Sequence, residues 1–372
     1  MTALQKIQAL AQDLNKILVE RETQVEALLA ALIAGVHVLL LGSPGTAKSL
    51  LAQTLCQAID GARYFNWLLT KFSTPEELFG PISMQGLKKD QYRRVTTNKM
   101  PEAHLAFCDE IWKASSAILN ALLTLINERK FYNDTIMDCP LLTCVGASNE
   151  LPQGEELGAL YDRFLLRFWV KPIEDDRSFI GMIDPNAPKN TVSVQLTLDD
   201  IAELRRQMET IKVPQEILDA MREICKELRL KGINPSDRRW KSVASTLRAF
   251  ALLRGNTEVT SDELEVLADM LWDRPEDRKT IQSTVAPRSN PLNLKAVEFL
   301  DHSREVFEKW QKGRGSDADD KNALQANGTL KEILKELDGI LTSADPKKAR
   351  KLLEAQTKIR DMRTEVVRSL EV

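Results

Sequence analysis

One stretch near residue 40 limits what this chain can fold into: "VHVLLLGSPGTAKSLLAQTL", residues 36–55. An apolar run, a Gly/Pro turn and a Lys-Ser pair opening a helical pattern spell strand, loop, helix. In such a loop, successive backbone N–H groups and the helix N-terminus behind them form a concave site for phosphates. Gly42 and Gly45 supply the turn freedom and allow close backbone approach. Lys48 can reach β- and γ-phosphates, and the Ser49 hydroxyl can join the shell of Mg²⁺. The candidate nucleotide cradle is therefore Gly42, Ser43, Pro44, Gly45, Thr46, Ala47, Lys48, Ser49 and Leu50. The usual spelling has glycine before the lysine, where this chain has Ala47. That position reads as the start of the helix, where alanine is a strong helix former, so the change is expected to matter little. Alone, the stretch also fits a plain strand-turn-helix, and the rest of the chain has to decide.

With 372 residues, 43% hydrophobic and 28% charged, the chain is long enough for two or three domains with a sizeable core. A net charge of -3 disfavours a dedicated nucleic-acid binder, although a local basic stripe stays open. The five cysteines have no metal-ligand spacing and only three histidines accompany them, so a zinc site is not expected. Apolar surroundings for most of them fit reduced core thiols and a cytoplasmic location. The apolar stretch "VEALLAALIAGVHVLLLG" is broken at Gly35 and His37, which predicts a helix handing over to a strand and no membrane span.

Short apolar runs alternate with helical patterns from Val36 to about Pro172: "VHVLLLG", "YFNWLL", "AHLAFCDE", "LLTCVGASN" and "LRFWV". Five such runs predict an α/β core, a five-stranded parallel sheet with helices on both faces. Asn133-Asp134 suggests a hairpin turn in "KFYNDTIMDCP". The predicted division is N-terminal helices over 1–35, a core over 36–190 and a helical lid over 191–275. A linker over 276–293 and a helical C-terminal extension over 294–372, mobile near 312–328, complete it. The lid helices read as Thr197 to Ile211, Pro214 to Leu230, Ser236 to Leu253 and Ser261 to Trp272, the last with a capping box from Thr260 to Glu263. In the extension, Leu330, Leu334, Leu337 and Leu341, then Leu352, Ile359, Met362, Val366 and Leu370, fit a helical hairpin. Asp345 would cap its second helix and Pro346 would occupy the first position. Such a hairpin packs on itself or serves as a docking arm.

The chemistry-bearing residues lie at the ends of the predicted strands. "HLAFCDE" ends in Asp109 and Glu110; the aspartate can hold the magnesium shell, and the glutamate can polarise water for attack on a γ-phosphate. An acidic pair after a strand is otherwise a solvated turn; following a phosphate loop it gains weight. "LLTCVGASNE" ends in Asn149, whose amide can position that water, or can simply cap the next turn. Arg163 in "ALYDRF" has no obvious phosphate in its own subunit, which suggests an arginine finger offered to a neighbour. The plainer alternative is an ion pair with Asp162 or Glu156, and Arg167 is the reserve candidate. Arg238 and Arg239 in "PSDRRWKS" open a helix, where basic residues oppose the dipole and suit a function reaching an anion.

The ordered set "GSPGTAKS", "CDEIWKASSAILNALLTLINER", "GASNELP", "LYDRFLLR" and "SDRRWK" resembles MoxR AAA+ ATPases, with "FSTPEELFGP" pointing to their RavA-like branch. The resemblance covers about residues 10 to 275, and the family spells its phosphate loop with alanine before lysine. It implies an αβα core with a helical lid, ATP/ADP and Mg²⁺ as ligands, and a homo-oligomeric ring, a hexamer, with nucleotide between subunits. It implies roles for Asn149 as sensor 1, Arg163 as finger and Arg238 as sensor 2. It sets an insert over Glu77 to Asn98, a hairpin over Lys130 to Pro140, and Val19 to Arg21 beside the adenine. A von Willebrand A-domain partner and chaperone-like remodelling of protein clients complete what it implies. The mostly β domain of longer RavA-like proteins has no counterpart in this helical C-terminal part, so partners tied to it are not expected. A nucleic-acid motor, favoured by "LKKDQYRR", and an ATP-gated scaffold with little turnover are the rivals.

Overall fold

The five apolar runs form one parallel sheet in the computed structural model, which describes residues 1–186, 190–313, 319–344 and 349–370. The chain divides into two units, Met1–Ile281 and Gln282–Val372. In the first, the strands in chain order are β1 (His37–Leu41), β2 (Ile59–Asp60), β3 (Tyr64–Leu68), β4 (Leu105–Asp109), β5 (Lys130–Asn133), β6 (Thr135–Asp138), β7 (Thr143–Ser148), β8 (Phe164–Trp169) and β9 (Leu196–Thr197). The main sheet runs β3-β4-β7-β1-β8 with every pairing parallel. Strand β1, flanked by β7 and β8, is buried at all five positions, which is why its sequence is continuously apolar and not alternating. In a parallel sheet all carboxyl ends lie on one edge. Leu41 pairs with Ser148 and Cys108 with Gly146, so the segments after β1, β4 and β7 emerge side by side.

β5 and β6 form the expected antiparallel hairpin, with Asp134 at φ 65 making the turn. The insert holds two short helices, Pro75–Phe79 and Met84–Leu87, and a bridge between Ile82 and Arg94. The Asn133 side chain joins hairpin to insert: its Oδ1 accepts from the Arg94 N–H at 2.5 Å and its Nδ2 donates to the Arg94 carbonyl at 3.1 Å.

Helices Ala3–Ile17 and Glu22–Ala34 precede the sheet, and the second also packs against the lid helices Leu198–Thr210 and Asp237–Leu253. The lid continues with Gln215–Leu230 between those two helices in sequence. The capping box of Thr260 and Glu263 is present, but Ser261–Asp269 is a 3-10 helix, not the α-helix to Trp272 that the spacing predicts. The stretch 276–293, read as a linker, is largely helical: Asp277–Val285 is an α-helix, Ala286–Arg288 adds a 3-10 turn, and the next helix begins at Pro291; the division between the two units falls within it.

The second unit contains the helices Pro291–Lys312, Asp319–Ser343 and Arg350–Leu370 packed around Trp310, Leu330, Leu337, Leu352, Ile359 and Val366. The last two are antiparallel: Arg363 reaches Asn327, and Gln356 reaches Asp338. The predicted seam is present, joined by a third helix. The mobile segment expected near 312–328 is corrected in part, since residues 319–328 are helical; 314–318 lie outside the described residues, as do Asp345 and Pro346.

Candidate nucleotide site

The loop leaves β1 through Gly42, whose N–H donates to the Ser148 carbonyl at 3.1 Å. At φ 143, a Cβ here would stand 2.3 Å from the Val170 carbonyl oxygen, so β1 and the end of β8 close up only around glycine. Ser43, Pro44 and Gly45 form the exposed crest, and the Thr46 hydroxyl steadies it by donating to the Ser43 carbonyl at 2.9 Å. Ala47 departs from expectation. It stands outside the helix as its N-cap at φ 64, ψ 23, in the left-handed region, where helix propensity gives it nothing and glycine would fit more easily.

Helix Lys48–Gln57 then begins, with Ser49 and Leu50 exposed beside the loop. The Lys48 side chain is buried, and its Nζ donates to the carbonyls of Gly42 at 2.7 Å and Ser43 at 2.9 Å. Burial lowers its pKa from the usual lysine value, while the carboxylates of Asp109 and Glu110 oppose the shift. The Lys48 ammonium also reaches Asn149 Oδ1 at 3.3 Å, and Asn149 Nδ2 donates to Glu110 Oε1 at 2.7 Å. An ammonium can only donate and a carboxylate only accept, so the Asn149 amide has one consistent orientation. Glu110 turns the chain at φ 52, its N–H donates to Asp109 Oδ1 at 3.0 Å, and its Oε2 pairs with Lys113 at 3.0 Å. Lys48, Asp109, Glu110 and Asn149, drawn from three strand ends, are thus one cluster. Lys113 was not legible as a member; its signal is the three-residue step from Glu110 through a single 3-10 turn.

Val19 to Arg21 lie at the same edge. Arg21 donates to the Lys171 carbonyl at 2.7 Å, and the Glu20 carboxylate accepts from the N–H groups of Glu174 and Asp175 at 2.9 and 3.0 Å.

Arg163 and Arg238 lie elsewhere. Arg163 precedes β8, whose first residue pairs with His37 at the start of β1, the end opposite the loop. There Arg163, Arg238, Arg129, Asn127 and His37 line a cleft of about 270 Å³. Asp162 organises it: its carboxylate accepts from Ser236 Oγ at 3.0 Å and Arg239 Nη2 at 3.0 Å, while Arg163 and Arg238 stand at 3.9 Å. The ion pair with Asp162 weighed for Arg163 is therefore present but long, and Arg163 Nε and Nη1 are buried without a hydrogen-bond partner. Arg238 is 58% exposed, whereas Arg239 is 3% exposed and also bonds Asp273 at 2.9 Å. The reserve residue Arg167 is excluded as an outward cation. It is fully buried, stacks on Tyr161 at 3.7 Å, and donates to the carbonyls of Phe164, Tyr161 and Trp272 and to Asp273.

Among the described residues no group of three or more His, Cys, Asp or Glu side chains could hold a metal ion by itself, and no helix is long and apolar enough to cross a membrane.

A strand, loop and helix facing an acidic strand end across a parallel sheet, with a helical lid, define a P-loop ATPase architecture. Residues 5–204 match the family described as the MoxR domain in the MoxR-vWA-beta-propeller ternary systems, and residues 216–285 match the AAA lid domain. The chain belongs to the MoxR family of AAA+ ATPases. Two uncharacterized proteins of Methanocaldococcus jannaschii are each 36% identical to it, one over 77% of this chain and 75% of its own length, the other over 83% of both. A crystal structure from Cytophaga hutchinsonii shares the fold with a TM-score of 0.62 at 20% identity, covering 77% of this chain and 95% of that one. The lid match extends to residue 285, into the stretch 276–293 read as a linker.

Proposed function

We propose that the chain binds and hydrolyses Mg²⁺-ATP, and that it does so as a ring in which Arg163 and Arg238 of one subunit serve the site of the next. The observation that carries this reading is the run of contacts from Lys48 through Asn149 to Glu110, which joins a phosphate loop to an acidic strand end. The buried Lys48 ammonium and the loop amides suit phosphate oxygens, and the Ser49 hydroxyl and Asp109 carboxylate are the hard oxygen donors Mg²⁺ prefers. When bound there, Mg²⁺ would supply neutralisation of phosphate charge. Glu110 accepts a proton from the attacking water, Asn149 orients that water, its oxygen bonds the γ-phosphorus as the bond to the bridging oxygen breaks, and ADP and inorganic phosphate leave. Val19 to Arg21, tied to the segment after β8, would flank the base.

Arg163 and Arg238 share a cleft separated from their own loop by the length of β1, about 13 Å for four steps of 3.3 Å. That separation favours service to a neighbour's γ-phosphate over their own. The family description places MoxR domains in systems with a vWA protein, which supports such a partner here. Hexameric assembly, chaperone-like remodelling and membership of the RavA-like branch rest on the motif resemblance, and the free cysteines, four of them buried, fit a reducing cytoplasm.

The test pairs calorimetry with turnover. Wild type should bind ATP and hydrolyse it, and Glu110→Gln should bind with similar affinity while losing at least about a hundredfold in rate, the scale of removing a general base. Binding without turnover in wild type would favour the gated scaffold, and an unchanged rate in Glu110→Gln would require another base.

A further inference from the structure

The nucleotide reading uses nothing beyond residue 285, and neither family match extends into the helices that follow. Between Asp319–Ser343 and Arg350–Leu370 lies an open groove of about 740 Å³. One wall is a helical stripe of Lys331, Leu334, Lys335 and Asp338, at steps of three, one and three. The facing wall is Arg360, Arg363, Thr364, Val367 and Arg368, again one face of a helix. The floor is apolar, from Leu334 and Val367, and the rims carry five cations against the one carboxylate of Asp338. That carboxylate is shared with Arg360 at 3.7 Å. Acidic residues of the same helices are set apart: Glu332, Glu336 and Asp361 are exposed on other faces and line no part of the groove.

We propose that this groove binds an acidic amphipathic helix of a partner protein, which would become the fourth helix of the bundle. Three features select that occupant. Two antiparallel helices with an apolar trough between them present the seat that a further helix fills in a four-helix bundle. The cations recur at helical spacing on both rims, so an incoming helix with Glu or Asp flanking an apolar stripe meets both over about two turns, roughly 11 Å. Nucleic acid fits less well. The groove has no aromatic side chain on which a base could stack.

The test uses the full chain and a fluorescein-labelled peptide of about 20 residues, long enough to hold a helix, with a leucine stripe flanked by glutamates. Anisotropy should report saturable binding that weakens with added NaCl, as screening of exposed charge requires. A scrambled peptide of the same composition should bind at least tenfold more weakly. The exposed pair Lys335→Glu/Arg360→Glu should lose at least tenfold for the glutamate peptide and gain affinity for its lysine counterpart. Glu332→Lys/Glu336→Lys, on the neighbouring face, should leave glutamate-peptide binding within about twofold. Circular dichroism would confirm that each variant is folded. Failure to bind, equal binding of the scrambled peptide, or an unchanged affinity in the reversed pair would overturn the proposal. So would displacement of the peptide by duplex DNA at equal charge concentration, which would assign the groove to nucleic acid.

Discussion

Ala47 holds the loop in a backbone conformation that costs an L-residue about 1–2 kcal/mol and glycine almost nothing. Ala47→Gly should therefore raise the urea midpoint by the equivalent of roughly 1 kcal/mol, less the extra chain freedom glycine gives the unfolded state, while ATP binding persists. Lys48→Ala should abolish tight ATP binding in calorimetry, because it removes the buried ammonium of the cradle. His37 offers a pH test. Burial, reinforced by the Arg129 guanidinium, keeps its pKa well below the ordinary 6.5, and its Nδ1 accepts from the Cys144 N–H at 2.9 Å. The unfolded chain therefore takes up a proton below about pH 6.5 that the folded chain refuses, so stability falls as pH drops through that value. This group adds a slope of up to about 1.4 kcal/mol per pH unit. Unfolding free energies at pH 7.5 and 5.5 should differ more for wild type than for His37→Gln, whose side chain does not titrate.

Among elements, β8 carries the clasp between sheet and lid. Arg167 reaches the Trp272 carbonyl and Asp273, and Arg239 takes the same Asp273 oxygen. Burial works to raise the Asp273 pKa, but the two guanidiniums overcome it and hold the carboxyl below its usual range. Arg167→Met should cost about 3 kcal/mol, at the low end for breaking a buried pair because Asp273 is half exposed. Asp273→Asn should cost less, and denaturant midpoints would rank them. The sequence made the five strands, the phosphate loop and the acidic pair legible because each is written in consecutive residues. It hid Arg167, since a charge in an apolar strand reads as outward until the carbonyls around it are known. It hid helix Asp277–Val285 behind Pro275 and Pro287, although Ile281, Thr284 and Val285 suffice to bury one face. Residues 319–328 read as mobile because their core contacts are the small side chains Ala323 and Ala326. Lys48, Glu110 and Asn149 come together only through the sheet order, which no local spacing encodes.

For the whole molecule, the decisive experiment mixes subunits. Arg163→Ala has a sound loop and lacks the cleft guanidinium, whereas Lys48→Ala keeps that guanidinium and lacks the loop cation. Each alone should be nearly inactive, with Arg163→Ala losing a thousandfold or more on the scale of arginine fingers. Co-assembled, they should recover part of the rate wherever one subunit's sound cleft meets the other's sound loop; no recovery in verified mixed assemblies would count against service between subunits. The short strand β1 carries a further consequence. Because β1 keeps the cleft and the loop of one chain at opposite ends of the sheet, a solitary copy would be a lock and key welded facing apart. On the proposed service between subunits, turnover per molecule would fall on dilution even with ATP in excess, and the chain would act as a gauge of its own abundance.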